Sequence, residues 1–240
     1  EKMKKSLFHR PALYVILGLY IILSYHSLAI EGNQIDNFFF TEDHFFENIG
    51  AISLFITAGL FFYGFLRTRR QPLRDKTHWI KQLAFLGFAV IAFFGGGEEI
   101  SWGQRIFHIQ EPAALGQINA QGELTVHNIE VNGHQLNFET PFDLMWFTVV
   151  VLIPLAVIAF PFAKKLATTY FPAVFLPIGG LFLTNYLWAK VAKILYVGVY
   201  TFNDTIPFVQ AVQEVKESHY ELLFALTALY AVLDLISSDS

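Results

Sequence analysis

The sequence contains no cysteine. Disulfides and thiolate-ligated metal sites are therefore excluded, and soft copper(I) chemistry with them. Charge is scarce too. Asp, Glu, Lys and Arg make up 15% of the 240 residues, against about 25% in a soluble domain. There is no HExxH, GxSxG, Walker loop, dinucleotide fingerprint or nucleic-acid-binding module. Nucleic acid is therefore not an expected partner. A second soluble domain, a low-complexity tract and an internal repeat are likewise missing, so one domain over residues 1–240 is expected.

What fills the chain is apolar. Hydrophobic residues reach 54%, with 26 Phe, and the mean hydropathy is +0.45. The apolar material comes in blocks of roughly 17–22 residues, the length that crosses about 30 Å of hydrocarbon as helix. Six spans can be drawn, at about 11–30, 49–66, 80–102, 142–162, 171–189 and 220–236. The first follows Lys2, Lys4, Lys5 and Arg10 and ends near Ser27-Leu28-Ala29, features shared with a signal peptide. The run is long for that role, and a retained helix is the expectation. The expected fold class is all-α, a polytopic transmembrane helical bundle with a polar extracytoplasmic cap formed by the outer loop 105–140.

Charge distribution orients this drawing. With the N-terminus inside, the inner segments hold 12 of the 16 Lys and Arg: Lys2, Lys4, Lys5, Arg10, Arg67, Arg69, Arg70, Arg74, Lys76, Lys81, Lys164 and Lys165. That is the positive-inside pattern, and six spans return the C-terminus to the cytoplasm. The basic loop Arg67 to Lys81 reads as a topology signal, with contact to anionic lipid as an additional use. The expected location is the inner (plasma) membrane of a bacterium. Acids do the opposite: all but Glu1, Asp75, Asp234 and Asp239 fall outside, with six of the eight His. Acids contribute little to orientation, so the outer face reads as the working face.

Four clusters sit at outer helix ends. Glu42-Asp43-His44 with Glu47 leads into the second span, where helical spacing puts Asp43 and Glu47 on one side. A solvated acidic helix start explains that cluster equally well. In the second cluster, Gly95-Gly96-Gly97 is followed by Glu98-Glu99-Ile100-Ser101-Trp102-Gly103-Gln104-Arg105. If the helix continues through Trp102, then Glu98, Trp102 and Arg105 share a face, and Arg105 can neutralise Glu98. Glu99 is left for another neighbour. Paired carboxylates in a poorly hydrated site suit general acid/base work or metal ligation. The alternative is an ion pair at the membrane edge with Trp102 as anchor.

Glu123 and His127 form the third cluster, an i,i+4 carboxylate–imidazole pair if helical. In the same loop, Asn132-Gly133 between Glu130-Val131 and His134-Gln135-Leu136 predicts a short hairpin. The fourth cluster is a helical stripe, Gln210, Glu214, Glu217 and Glu221, that runs into the sixth span with His219 nearby. Such a stripe is expected to face a polar interior rather than lipid. The candidate catalytic residues are Glu98, Glu99, Arg105 and His127. The candidate metal ligands are Glu99, Glu123, His127, Glu217 and Glu221, hard donors suited to Zn²⁺, Mn²⁺, Fe²⁺ or Ca²⁺.

The string Glu98-Glu99-Ile100-Ser101-Trp102-Gly103-Gln104-Arg105, with Asn119-x-Gln121-Gly122-Glu123 and His127-Asn128, resembles a group of uncharacterised bacterial multi-pass membrane proteins. The resemblance covers most of the chain, including Glu42-Asp43 and Glu47, and brings no activity with it. A looser, chemical likeness is to the CAAX-protease-like intramembrane glutamate proteases, whose first motif is Glu-Glu-x3-Arg. Here the arginine comes six residues after Glu99. Phe40-x3-His44 and His44-x3-Asn48 fit the later elements of that family but precede the Glu pair.

These features are compatible with three classes of function. The first is a membrane-embedded, metal-assisted enzyme acting on a lipid or lipid-linked substrate near the outer leaflet. The second is a structural or assembly subunit that binds a membrane-protein partner through its cap. The third is a cation- or proton-coupled transporter, for which polar residues deep in the spans are few, Thr184 and Asn185 being the main exceptions.

Overall fold

The computed structural model describes residues 8, 10–28, 45–70, 76–110, 124–125, 129–131, 134–135, 139–170, 176–196 and 208–238. These are almost wholly helical. Helix α1 is Pro11–Ser27, opened by a proline whose fixed φ suits the first turn. Helices α2 (Phe45–Arg69) and α3 (Lys76–Glu99) come next. A tight turn at Ser101–Gly103 then leads to the single turn α4 (Gln104–Phe107). The expected hairpin is present, with Glu130–Val131 (β1) antiparallel to His134–Gln135 (β2) and Glu130 opposite Gln135. Helix α5 (Glu139–Phe147) runs through a π-helical segment, Thr148–Leu152, into α6 (Ile153–Ala159). Helices α7 (Pro161–Tyr170), α8 (Leu176–Tyr196) and α9 (Phe208–Ser238) complete the chain.

Among the described residues, three helical stretches are long and apolar enough to cross a membrane: Phe45–Arg69, His78–Glu99 and Ala211–Ser237. Pro11–Ser27 and Asp143–Ala159 are shorter apolar helices. The outward surfaces of these elements are apolar. Val15, Ile16, Leu19 and Leu23 on α1, Ile52 and Ile56 on α2, and Val90, Phe93 and Phe94 on α3 are all exposed. A surface of this kind is too large for a soluble monomer and fits a membrane protein.

Small residues set how the helices meet. On α3, Gly95 and Gly96 lie against Leu54 and Phe55 of α2, while Gly64 of α2 leaves room for the Phe85 ring of α3. The two helices are therefore antiparallel. Helix α9 runs parallel to α2: Glu221 meets Gly50 near one end, and Phe61 shares a core cluster with Ala228 and Leu235 toward the other. Asn185 of α8 binds Lys216 of α9, and Phe182 stacks on Tyr220 with centroids 4.2 Å apart. On α5, Trp146 stacks on Phe224.

The π-helical segment has a local cause. Pro154 lacks an N–H and cannot bond the Val150 carbonyl four residues back. That carbonyl lies against Gly179 of α8, where any Cβ would fall on it.

Several boundaries differ from the sequence reading. The third span does not continue as helix through Trp102, because α3 ends at Glu99. Ser101 (φ 46°), Trp102 (φ 53°) and Gly103 (φ 77°) are all left-handed. The turn folds the indole back over Gly97, which has no side chain to block it. The helix drawn over 142–162 is interrupted at Phe160, whose backbone is extended, and α8 extends to Tyr196, past the 189 drawn from hydropathy.

Candidate functional site

Helix α2 begins, α3 ends and α9 passes at one end of the bundle, and each brings acids there. Helix α2 contributes Glu47, α3 contributes Glu98 and Glu99, and α9 contributes Glu214, Glu217 and Glu221. Glu221 is 4% exposed, and its carboxylate occupies the space that a side chain at Gly50 would fill. Of the surrounding acids, Glu99 acts most strongly on it, then Glu217, Glu214 and Glu47. Glu99 is partly buried, and its strongest electrostatic neighbour is Glu217. Gln213 donates to Glu217 at 2.5 Å.

Two unit charges about 4 Å apart repel by roughly 4 kcal/mol at an effective dielectric of 20. Glu47, Glu99, Glu214, Glu217 and Glu221 act on one another as like charges. Lys216, buried one turn before Tyr220, faces Asp143 of α5 at 3.5 Å.

Glu98 is engaged differently from its neighbour. The folded-back Trp102 donates its indole N–H to Glu98 Oε1 at 2.6 Å. The helical face expected to carry Glu98, Trp102 and Arg105 is not formed, and Trp102 reaches Glu98 through a left-handed turn instead. Left-handed Ser101 and Trp102 each cost about 1–2 kcal/mol. Their cost is offset by this hydrogen bond and by the packing of the indole on Gly97 and Phe94. Arg105 lies on α4, and its side chain is outside the described residues.

The remaining sequence candidates divide in two. Glu99, Glu217 and Glu221 come together across α3 and α9. Glu123 and His127, like Glu42, Asp43 and His44, lie outside the described residues. The outer loop does return to the end of α3 at one described point, where Leu124 N–H donates to Gln104 Oε1 at 2.6 Å. Among the described residues, no three His, Asp or Glu side chains group in a way that could hold a metal ion.

The opposite face of α9 carries a second polar group. Asn185 Oδ1 of α8 accepts from the Tyr25 hydroxyl at 2.7 Å and faces His219 Nδ1 at 2.8 Å. Asn185 Nδ2 donates to the Lys216 carbonyl at 2.9 Å. All three side chains are almost wholly buried, His219 at 1% exposure. Sequence reasoning noted Asn185 and His219 separately and missed Tyr25. The only signal for Tyr25 was a hydroxyl inside an apolar run.

Set against protein-family models, curated proteins and solved structures, the chain matches none.

Proposed function

We propose that this chain is a six-span, single-domain protein of the bacterial inner membrane, with both termini cytoplasmic. In this reading the carboxylate cluster is the acid–base centre of an enzyme acting on a lipid or lipid-linked group at the extracytoplasmic edge. The observation that carries it is the Glu221 carboxylate, buried in the space left by Gly50 and facing Glu99 of a neighbouring helix. Paired carboxylates in a poorly hydrated site are suited to take the roles of acid and base. The alternating directions of α2, α3, α8 and α9 support the multi-span reading, and so does the apolar outer surface.

Glu99 is assigned the role of base, and Glu221 and Glu217 are its partners in proton sharing. Arg105 balances charge or meets an anionic headgroup, and loop 105–140 forms the cap. The described carboxylates do not by themselves form a metal-type group, so metal assistance by Zn²⁺, Mn²⁺, Fe²⁺ or Ca²⁺ would draw on Glu123 and His127. Membrane lipids are the surrounding partners.

The test is lipid mass spectrometry of membranes incubated with the purified protein, beside Glu99→Gln and Glu221→Gln. A lipid species consumed by the wild type and spared by both variants is the expected result. Undiminished conversion by Glu221→Gln would overturn the assignment. Elemental analysis of the same preparations, with His127→Ala added, reads metal assistance separately.

A second reading, coupled cation or proton movement, is favoured by one observation. The polar groups of α9 occur on both faces, with Lys216–Asp143 and Tyr25–Asn185–His219 at the same levels of the helix as the carboxylates. Dye-reported proton uptake in proteoliposomes, lost in Glu221→Gln without any lipid conversion, would select it. A cap that docks a membrane-protein partner is the third reading, and neither assay would respond to the variants in that case.

A further inference from the structure

Pro161 has no backbone N–H to donate, and it disfavours the helical region for the residue before it. Phe160 is accordingly extended (φ −131°, ψ 118°). Its N–H closes α6 on the Ala156 carbonyl at 2.8 Å, and its carbonyl opens α7 by accepting the Lys164 N–H at 3.2 Å. The chain thus changes direction at Phe160 without leaving its hydrogen bonds open. The bend comes at the end of the bundle remote from the carboxylates. Asp143 meets Lys216 and Trp146 meets Phe224, so α5 and α6 run parallel to α9 and antiparallel to α3. Trp146 also stacks on Phe88 of α3. Phe160 is about 20 Å further along, and the same distance back from Phe88 reaches the start of α3. The end of α2 is there too, since His78 of α3 donates to the Thr68 carbonyl at 2.9 Å.

Helix α7, with 10 residues, is too short to cross a bilayer. It packs against α3, and its residues divide around the axis into three sides. Ala167 is 4% exposed, and with half-buried Ala163 one turn earlier it forms the side turned to the bundle. Phe162 and Leu166 form a second side, 72% and 55% exposed. Lys164 and Lys165 form the third, also exposed. One side meets protein, one is bare and apolar, and one is cationic. A bilayer surface satisfies all three at once, with the apolar side among acyl chains and the lysines at the headgroups. Phe160 at the bend, and Trp79 and Ile80 near the start of α3, extend the exposed apolar surface at this level. Cations gather at the same end, with Arg69 and Arg70 on α2 and Lys81 on α3. Among the described residues, Asp234 of α9 is the only acid there.

We propose that α7 is an interfacial helix that docks on an anionic phospholipid surface. Phe162 and Leu166 lie among the acyl chains, and Lys164 and Lys165 lie at the level of the phosphates. Five cations against one acid match a negatively charged headgroup. A second copy of this chain is a poor occupant, because a two-fold contact through this face would set lysine beside lysine. The carboxylates are at the other end of the bundle, so the inference stands whether or not they are an acid–base centre. Only the identity of this leaflet as the cytoplasmic one rests on the orientation proposed above.

The absence of cysteine allows a single dye to be placed without background. Phe162→Cys and Leu166→Cys, each labelled with the fluorophore NBD, are reconstituted as the full chain in vesicles of phosphatidylcholine and phosphatidylglycerol in equal parts. Spin-labelled lipid should quench the dye at both positions, and iodide present on both sides of the membrane should quench neither. Either position serves alone should the other variant fail to fold. Spin-labelled phosphatidylglycerol should quench more strongly than spin-labelled phosphatidylcholine at the same mole fraction. That preference should fall about fivefold or more when Lys164→Gln and Lys165→Gln are combined, the weight of at least one cation near an anionic surface. It should persist when Lys164→Arg and Lys165→Arg are combined. Quenching by iodide would overturn the proposal, and so would protection from both quenchers, the mark of a face covered by protein. Equal quenching by the two lipids, or a preference unchanged by the glutamines, would overturn it as well.

Discussion

Replacing Gly50 with alanine places a methyl group where the Glu221 carboxylate now sits. In an exposed helix interior that change stabilises by about 1 kcal/mol, because alanine is the better helix former. Here the new Cβ displaces a buried carboxylate, and the directions open to it lead toward Glu99 and Glu217. Overpacking of this kind costs about 1–3 kcal/mol before any added repulsion. The net expectation is a loss of about 1–3 kcal/mol. For a chain of this size that lowers the melting temperature by roughly 2–4 °C per kcal/mol. The assay is thermal unfolding in micelles monitored by circular dichroism.

Gly59 on α2 and Gly87 on α3 provide the controls, because a Cβ at either position meets nothing within 4 Å. Both should melt unchanged or slightly higher as alanine. Adding Glu221→Gln to Gly50→Ala removes the charge but keeps the shape, so it separates steric crowding from repulsion. The loss should shrink in that background. If Gly50→Ala melts higher, as the controls are expected to, Glu221 is not held against α2 and the geometry of the cluster is wrong.

The same packing sets other outcomes. Gly179→Ala should destabilise by about 2 kcal/mol or more, since its Cβ falls on the Val150 carbonyl; Gly180→Ala, with open space, should not. Asn185→Leu leaves the Tyr25 hydroxyl, His219 Nδ1–H and the Lys216 carbonyl without their partner. At about 1–3 kcal/mol for each buried group, the protein is expected to lose most of its stability, whereas Tyr25→Phe should cost only about 1 kcal/mol. Trp102→Phe keeps a ring over Gly97 but removes the donor to Glu98. It should cost about 1 kcal/mol, with no change in helicity by circular dichroism. Unchanged melting temperatures in all four destabilising variants would remove the packing argument.

Much of this arrangement is encoded in local patterns. The Asn132-Gly133 step between β-forming residues marked the hairpin, because a two-residue turn needs φ > 0 at both positions. The helical spacing of Gln210, Glu214, Glu217 and Glu221 implied a helix that starts well before the apolar run at Tyr220, and α9 does begin at Phe208. Glu99, Glu217 and Glu221 all fall near one drawn membrane edge in the sequence, and in the structure their charges act on one another across α3 and α9.

Other features depend on tertiary contact and leave little local trace. The end of α3 turns on left-handed Ser101 and Trp102, which propensity disfavours and only the indole's seat on Gly97 and its bond to Glu98 repay. Tyr25 and Asn185 are separated by 160 residues, and no periodicity links them. Pro154 hints at an irregular helix, yet it does not say that Gly179 will receive the released carbonyl.

The π-helical segment Thr148–Leu152 has a consequence for how this chain tolerates change in length. Each residue added to or removed from a helix rotates its downstream half by about 100° relative to its upstream half. The wide turn keeps two sets of contacts in phase: Asp143 and Trp146 toward α9 on one side of it, and Val150 toward α8 within it. A deletion of one residue here would tighten the segment into an ordinary α-helix. Because the wide turn holds one residue more than an α-turn, that deletion leaves Asp143 and Trp146 nearly in phase, whereas a deletion elsewhere between Asp143 and Ala159 would swing them away from α9. Chains that share this architecture should therefore tolerate loss of one residue within 148–152 better than elsewhere in this helix, while keeping Val150 and Val151 apolar.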